Sequence, residues 1–162
     1  MARVLIVGCG YRGQALARGL VDRGFQVRGT TRRRDALASI EAAGAEAVVA
    51  DPLRLATLTR PIDGVSAVCW LMGTATGPDE EVAALHGTRL SSMIEMLVDT
   101  HARGFVYEAA GTVDRAVLER GRGVGDGVAG TCAMPLATVR IDPARRQEWL
   151  GAMIEAVAEV HG

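Results

Sequence analysis

A short apolar run followed at once by three spaced glycines opens the chain and determines much of its expected fold. The run, Val4–Val7, contains no polar side chain, which is typical of a parallel strand buried on both faces. Gly8, Gly10 and Gly13 then form the pattern G-x-G-x-x-G, and apolar residues recur behind it at helical spacing. A second strand is predicted at Phe25–Gly29. Together these segments predict a β-α-β unit, and hence a parallel sheet.

Each of the three glycines has a separate role in a strand-to-helix turn of this kind. The first permits the tight turn, the second lets the backbone approach a pyrophosphate, and the third lets the helix pack closely on the strand. The N-terminus of the following helix offers unpaired N–H groups and the positive end of its dipole to phosphates. The pattern therefore indicates a dinucleotide-binding fingerprint. The alternative is a glycine-rich turn that binds nothing.

The end of the second strand indicates which dinucleotide is preferred. NAD-preferring sites normally place Asp or Glu there, where it binds the ribose 2′-hydroxyl. This chain has the segment Gly29–Arg34 instead, and no carboxylate precedes Asp35. Guanidinium and hydroxyl groups bind a 2′-phosphate, which a carboxylate would repel. We therefore predict NADP(H) rather than NAD(H), with contacts from Thr31, Arg32 and Arg33. The alternative is that the arginines form a solvated start of a helix.

Composition suits one intracellular domain without a nucleic-acid or membrane partner. The 162 residues, 49% of them apolar, are enough for a sizeable core in a single domain spanning residues 1–162. A net charge of −1 gives no sign of binding to nucleic acid or to a membrane surface. The N-terminal apolar run is too short for a signal peptide, and no stretch has the length of a transmembrane helix. Cys9, Cys69 and Cys132 lack metal-ligand spacing and resemble small buried residues of a reducing compartment. We therefore predict a cytoplasmic protein without a metal site.

The rest of the chain continues the alternation of strands and helices. Four more strands are predicted at Glu46–Ala50, Val65–Leu71, Gly104–Ala109 and Leu136–Ile141. Six strands alternating with helices predict a doubly wound α/β fold, a parallel sheet in the order 3-2-1-4-5-6 with helices on both faces. Asp142 and Pro143 predict the start of the last helix. The glycine-rich segment Gly121–Ala133 predicts a loop or frayed helix, because each glycine costs a helix about 1 kcal/mol relative to alanine.

In such a sheet the ligand crevice lies where the loops after the first and fourth strands diverge. The predicted cofactor contacts are Gly8, Gly10, Tyr11, Arg12, Gly13, Thr31, Arg32, Arg33, Asp51, Pro52, Leu71, Met72 and Gly73. Thr74, Thr76 and Glu108 lie near the expected crevice and are candidates to orient a ligand. His86 is expected to be solvated or to cap a helix. Cys9, inside the fingerprint, either has a thiol pKa lowered by the helix N-terminus or packs beneath the loop.

The segments Val7–Gly13, Gly29–Arg33 and Asp51 resemble the short-chain dehydrogenase/reductase superfamily, particularly its atypical, epimerase-like NAD(P)H-binding branch. The resemblance covers residues 2–110. It implies a Rossmann fold in which Asp51 meets the adenine amino group. It also implies that the loop Leu71–Thr74 lines the ribose and nicotinamide side of the site.

The resemblance fails at the family's catalytic residues. Ala109 and Ala110 stand where the family has Ser or Thr, no tyrosine follows Tyr107, and the chain contains no lysine. The family's Tyr-x-x-x-Lys motif uses the ammonium to lower the pKa of a proton-relaying tyrosine. We also expect the chain to lack, after the sixth strand, the portion that binds substrate in extended members.

Two functions fit these residues. The first is an NADP(H)-binding protein without the usual catalytic residues, acting as a cofactor sensor or binding module. The alternative is a small NADPH-dependent oxidoreductase whose acceptor is a flavin, a quinone or a carbonyl compound. The alanine-rich last helix could also support a homodimer.

Overall fold

Residues 2–162, described here by a computed structural model, form alternating strands and helices. The strands are β1 (Arg3–Val7), β2 (Gln26–Thr31), β3 (Glu46–Val49), β4 (Ala67–Trp70), β5 (Gly104–Glu108) and β6 (Leu136–Val139). The helices are α1 (Tyr11–Asp22), α2 (Leu37–Ala42), α3 (Asp79–Leu85), α4 (Thr88–Leu97), α5 (Arg115–Cys132) and α6 (Arg146–His161). Single 3-10 turns, Arg34–Ala36 and Leu55–Leu58, precede α2 and β4.

All neighbouring strands are parallel, and their order is β3-β2-β1-β4-β5-β6. The predicted doubly wound sheet and its strand order are therefore confirmed. The order reverses at β1, which pairs with β2 on one side and β4 on the other. This places the carboxyl ends of β1 and β4 side by side, with a crevice between the loops that leave them in opposite directions.

Two apolar layers cover the sheet. One packs α1, α2 and α6 against it through residues such as Leu16, Ile40 and Met153. The other packs α3, α4 and α5 against the opposite face through residues such as Leu90 and Met93. Because both faces are covered, the central strands β1 and β4 have apolar side chains without alternation at Val4–Val7 and Ala67–Trp70.

The prediction of a loop or frayed helix at Gly121–Ala133 is wrong, because α5 continues without a break to Cys132. Gly121 lies against the hydroxyl of Tyr107, and a Cβ at this position would overlap that oxygen. Gly125 is also buried in the interface of α5. The close approach that Gly121 permits lets α5 pack on Tyr107 of β5, whereas a Cβ at Gly125 would make only ordinary van der Waals contact with Leu136 and Leu90. This packing offsets the low helix propensity of the glycines.

The predicted start of the last helix is also wrong. Asp142 does not cap α6, and Pro143 is not its first residue, because α6 begins at Arg146. An Asp142 carboxylate oxygen accepts a hydrogen bond from the Ala144 amide at 2.9 Å, and the Arg145 amide donates to the Asp142 carbonyl. These bonds form a turn that precedes the helix.

Several strand boundaries also differ from the prediction by one or two residues. β2 continues to Thr31 instead of ending at Gly29, β4 begins at Ala67 instead of Val65, and β6 ends at Val139 instead of Ile141. None of the helices within residues 2–162 has the length and hydropathy needed to cross a lipid bilayer.

Candidate dinucleotide site

A cavity of about 660 Å³ lies at the carboxyl ends of β1 to β4. This volume is within the range of small-molecule sites. Of the predicted contact residues, those that line the cavity are Gly8, Gly10, Tyr11, Arg12, Thr31, Arg32, Arg33, Asp51, Pro52, Leu71 and Met72. Gly13 and Gly73 do not line it. The cavity therefore lies in the predicted crevice.

Two of the fingerprint glycines, Gly8 and Gly10, line this cavity, and Gly13 lies outside its lining. Gly8 has a φ of 86°, and a Cβ there would lie 2.8 Å from the Leu71 carbonyl oxygen. Gly10 is exposed, and a Cβ there would meet no heavy atom within 4 Å. Gly13 lies in the interface between α1 and β1, where a Cβ would be 3.3 Å from the Gly8 carbonyl oxygen. The N-terminus of α1, at Tyr11, and the open space over Gly10 thus fit a pyrophosphate.

The end of β2 forms a basic edge of the cavity. Thr31, Arg32 and Arg33 line it, and the Thr31 hydroxyl accepts a hydrogen bond from the Arg33 amide at 3.2 Å. The Arg33 guanidinium is 3.6 Å from a carboxylate oxygen of Asp35, and both side chains are exposed. An exposed pair at this distance is weak, so it leaves the arginine available to an anion. Arg34 is exposed and does not line the cavity.

The loops after β3 and β4 form the opposite wall. A carboxylate oxygen of Asp51 accepts a hydrogen bond from the Leu53 amide at 3.0 Å, which fixes the turn after β3. Thr74 and Thr76, which were candidates to orient a ligand, both line the cavity, whereas Glu108 does not. Its position in the core excludes direct contact with a ligand in this cavity.

Glu108 is fully buried and holds the side chain of Arg12. The Arg12 Nε atom donates to Glu108 Oε2 at 2.8 Å, and Nη2 donates to Oε1 at 2.5 Å. The same carboxylate accepts hydrogen bonds from the Gly73 amide and from Trp149 Nε1, each at 2.9 Å. Arg12 also donates to the Thr74 hydroxyl at 2.7 Å. This network joins the fingerprint, the loop after β4, the end of β5 and α6.

Of the two roles expected for His86, the solvated one is wrong, because its ring is buried. The capping role is confirmed, because His86 is the C-cap residue of α3 and its backbone amide donates to the Ala83 carbonyl. Its Nε2 lies 2.9 Å from the Met72 carbonyl oxygen, and its Nδ1 lies 2.6 Å from the Tyr107 hydroxyl. The carbonyl can only accept, so Nε2 carries the proton and Nδ1 accepts from the tyrosine. Burial lowers the pKa of His86 and raises the pKa of Tyr107. Nothing in the sequence pattern places these two residues together.

Cys9 packs beneath the fingerprint loop, which is one of the two alternatives expected for it. The side chain is buried, and a Cβ at Gly29 would lie 2.7 Å from its sulfur. Burial raises the pKa of the Cys9 thiol to about 12. The other alternative, that the helix N-terminus lowers the pKa of the Cys9 thiol, is therefore wrong. Cys9 fills the space below the turn and stays protonated.

Comparisons with known proteins identify the family and the fold. A sequence profile of the NAD(P)H-binding family matches residues 8–130, which is more than half of the chain. No curated protein matches the sequence significantly.

Several solved structures share the fold. A putative NAD-dependent epimerase/dehydratase from Bacillus halodurans is 18% identical with a TM-score of 0.73, over 88% of this chain and 71% of that one. BdcA from E. coli is 17% identical with a TM-score of 0.73, over 97% and 90% of the two chains. A short-chain dehydrogenase/reductase superfamily protein from Agrobacterium tumefaciens, solved with bound NAD, is 19% identical with a TM-score of 0.70, over 85% and 48%.

The chain spans about half the length of the Agrobacterium protein and of other solved reductases and epimerases with the same fold. At these identities the structures support the fold, and the sequence profile supports the family. The chain belongs to the NAD(P)H-binding family and has the Rossmann fold of the epimerase-like short-chain dehydrogenases.

Proposed function

We propose that this protein binds NADP(H) in preference to NAD(H), and that it acts in the cytoplasm as a cofactor sensor or binding module. The observation that carries the proposal is the basic edge of the cavity, where Thr31, Arg32 and Arg33 follow β2. A 2′-phosphate on the adenosine ribose would meet two guanidinium groups and a hydroxyl there. The first carboxylate that follows β2 is that of Asp35, and one of its oxygens lies 3.6 Å from the Arg33 guanidinium.

The remaining cavity residues suit the rest of the adenosine half. The pyrophosphate would lie over Gly10 and the N-terminus of α1, where backbone N–H groups and the helix dipole favour an anion. The adenine would lie near Asp51 and Pro52, which line the same cavity. One continuous cavity thus offers a place for base, phosphorylated ribose and diphosphate.

We do not assign the catalytic mechanism of short-chain dehydrogenases to this protein. A reduced cofactor supplies a hydride, and the protein must then supply or accept a proton at the substrate. Tyr107 cannot serve, because its hydroxyl is buried against His86 and its pKa is raised by burial. The chain has no lysine to lower a tyrosine pKa. These features favour a binding protein.

The test is calorimetric titration of the protein with NADP and with NAD at the same ionic strength. The proposal predicts that NADP binds more tightly, because only NADP carries the 2′-phosphate. Equal affinity for the two nucleotides would contradict the preference. No binding of either at about millimolar concentration, which corresponds to roughly 4 kcal/mol, would contradict the function itself.

One observation favours an oxidoreductase as the second candidate. Tyr11 lines the cavity and is 74% exposed, and the guanidinium carbon of Arg146 lies 4.7 Å from the centre of its ring. A hydrogen bond from Arg146 and then its charge lower the pKa of the Tyr11 phenol. In the Tyr-x-x-x-Lys motif of short-chain dehydrogenases, the lysine ammonium lowers the pKa of the tyrosine in the same direction. Oxidation of NADPH, followed by its absorbance with flavin, quinone and carbonyl acceptors, distinguishes the candidates. Turnover that is lost in Tyr11→Phe would favour the oxidoreductase.

A further inference from the structure

The cavity lies over the carboxyl ends of β1 to β4 and does not reach those of β5 and β6. In a doubly wound fold a dinucleotide lies across the switch point, with its adenosine half over the strands that follow the fingerprint and its other half over the remaining strands. Here the lining comes from the ends of β1, β2 and β3, the loop after β4, and α3 as far as its last residue, Leu85. Among residues 2–162, none beyond Leu85 lines the cavity. The ends of β5 and β6 therefore contribute nothing to it.

The loops after β4 and β5 pack directly on each other beside the cavity. The Val113 amide donates a hydrogen bond to the Gly73 carbonyl oxygen at 3.0 Å. A Cβ at Gly73 would overlap the Ala110 carbonyl oxygen, and a Cβ at Gly111 would overlap the backbone of Gly73. The absence of side chains at both glycines is what allows this contact. It closes the crevice on the side of β5.

The Arg12 side chain fills the space between these loops and the fingerprint. Its guanidinium makes four hydrogen bonds, two of them to Glu108 and the others to Thr74 and the Leu71 carbonyl. Displacing Arg12 would leave the fully buried Glu108 carboxylate without its cation. Such a charge is costly to leave unpaired, so the guanidinium is a fixed part of the wall.

We propose that the cavity is built for the adenosine half of the cofactor alone: adenine, a 2′-phosphorylated ribose and a diphosphate. The nicotinamide end projects from the cavity into solvent and makes no stabilising contact. The protein then responds to the amount of the 2′-phosphorylated nucleotide and not to its redox state. This inference rests on the proposed function, because it uses the same basic edge and the same phosphate site.

The test is a calorimetric comparison of NADP, NADPH and 2′-phospho-ADP-ribose, which is NADP without its nicotinamide, on the wild-type protein. The expected result is that the three dissociation constants agree within about fivefold, or roughly 1 kcal/mol. If either dinucleotide binds more than about fivefold tighter than 2′-phospho-ADP-ribose, the inference is overturned while NADP(H) binding stands. If none of the three binds, the proposed function and the inference both fail.

The fluorescence of NADPH gives a second readout on the same protein. A nicotinamide in solvent keeps its emission maximum when the protein is saturated. A shift of that maximum to shorter wavelength would show that the ring enters an apolar, water-poor environment. That result would overturn the inference even if the affinities were similar.

Discussion

The guanidinium of Arg12 and the carboxylate of Glu108 form two hydrogen bonds, at 2.5 and 2.8 Å, between residues 96 positions apart in the chain. Arg12 is partly buried, with 20% of its side chain exposed, and Glu108 is fully buried. The pair links the turn that holds the phosphate site to the last buried position of β5. It therefore contributes both to the fold and to the shape of the cavity.

Replacing Arg12 should destabilise the protein strongly. In Arg12→Met the Glu108 carboxylate loses its cation in the core, so we expect the free energy of unfolding to fall by about 3 kcal/mol. Urea unfolding followed by tryptophan fluorescence measures this change. Arg18→Met is the matched control, because Arg18 is an exposed residue of the same helix. Adding Glu108→Gln to Arg12→Met should recover part of the loss, since the glutamine carries no charge. A loss no larger than that of the control would contradict a structural role for the pair.

The buried His86 should make stability fall as the pH is lowered. Its pKa is lower in the folded protein than the ordinary value of 6.5, because the ring is desolvated. The unfolded chain therefore binds the proton more readily, and stability decreases as the pH falls from 6.5 towards the folded pKa. The loss is at most about 1.4 kcal/mol per pH unit.

Unfolding of wild type and of His86→Gln at pH 7.5 and 5.5 measures this contribution. Glutamine can still accept from Tyr107 and donate to the Met72 carbonyl, but it does not titrate. We expect a smaller loss between the two pH values in this variant. His101→Gln, at an exposed position, is the control. An identical pH dependence in wild type and His86→Gln would show that the buried ring does not contribute.

Two glycines of α5 should respond to alanine in opposite ways. A Cβ at Gly121 would overlap the Tyr107 hydroxyl, so Gly121→Ala should destabilise the protein by about 1–3 kcal/mol. A Cβ at Gly123 would meet no atom within 4 Å, so Gly123→Ala should stabilise it by about 0.5–1 kcal/mol through helix propensity. Thermal and urea unfolding of both variants measures the difference. If both substitutions stabilised the protein, or both destabilised it, the packing of α5 against Tyr107 would be contradicted.

The sequence was sufficient to predict the sheet, because its strand order follows from local patterns and general rules of connection. The fingerprint identifies β1 and α1, and the right-handed crossovers place the later strands. The same rules placed the crevice, which is lined by residues from Gly8 to Met72 that were predicted as contacts. Their role in binding remains a prediction.

The errors have two causes: contacts between residues distant in sequence, and a local turn that replaces a helix start. Glycine propensity predicted a break in α5, and the contact of Gly121 with Tyr107 outweighed it. Asp142 and Pro143 fit the start of a helix, but the same aspartate forms a turn instead. The pairing of Arg12 with Glu108 has no local signal at all, because neither residue type is unusual at its position.

The affinity difference between NADP and NAD in variants of the basic edge tests the central claim most directly. Arg32→Ala combined with Arg33→Ala removes both guanidinium groups from the cavity, whereas Arg34→Ala removes an exposed arginine that does not line it. Calorimetry should show that the double variant loses about 1–3 kcal/mol of NADP binding, or roughly 5–150-fold in affinity, while its affinity for NAD changes little. Arg34→Ala should leave both affinities close to wild type. Equal losses for NADP and NAD, or no loss for either, would contradict the claim that this edge recognises a 2′-phosphate.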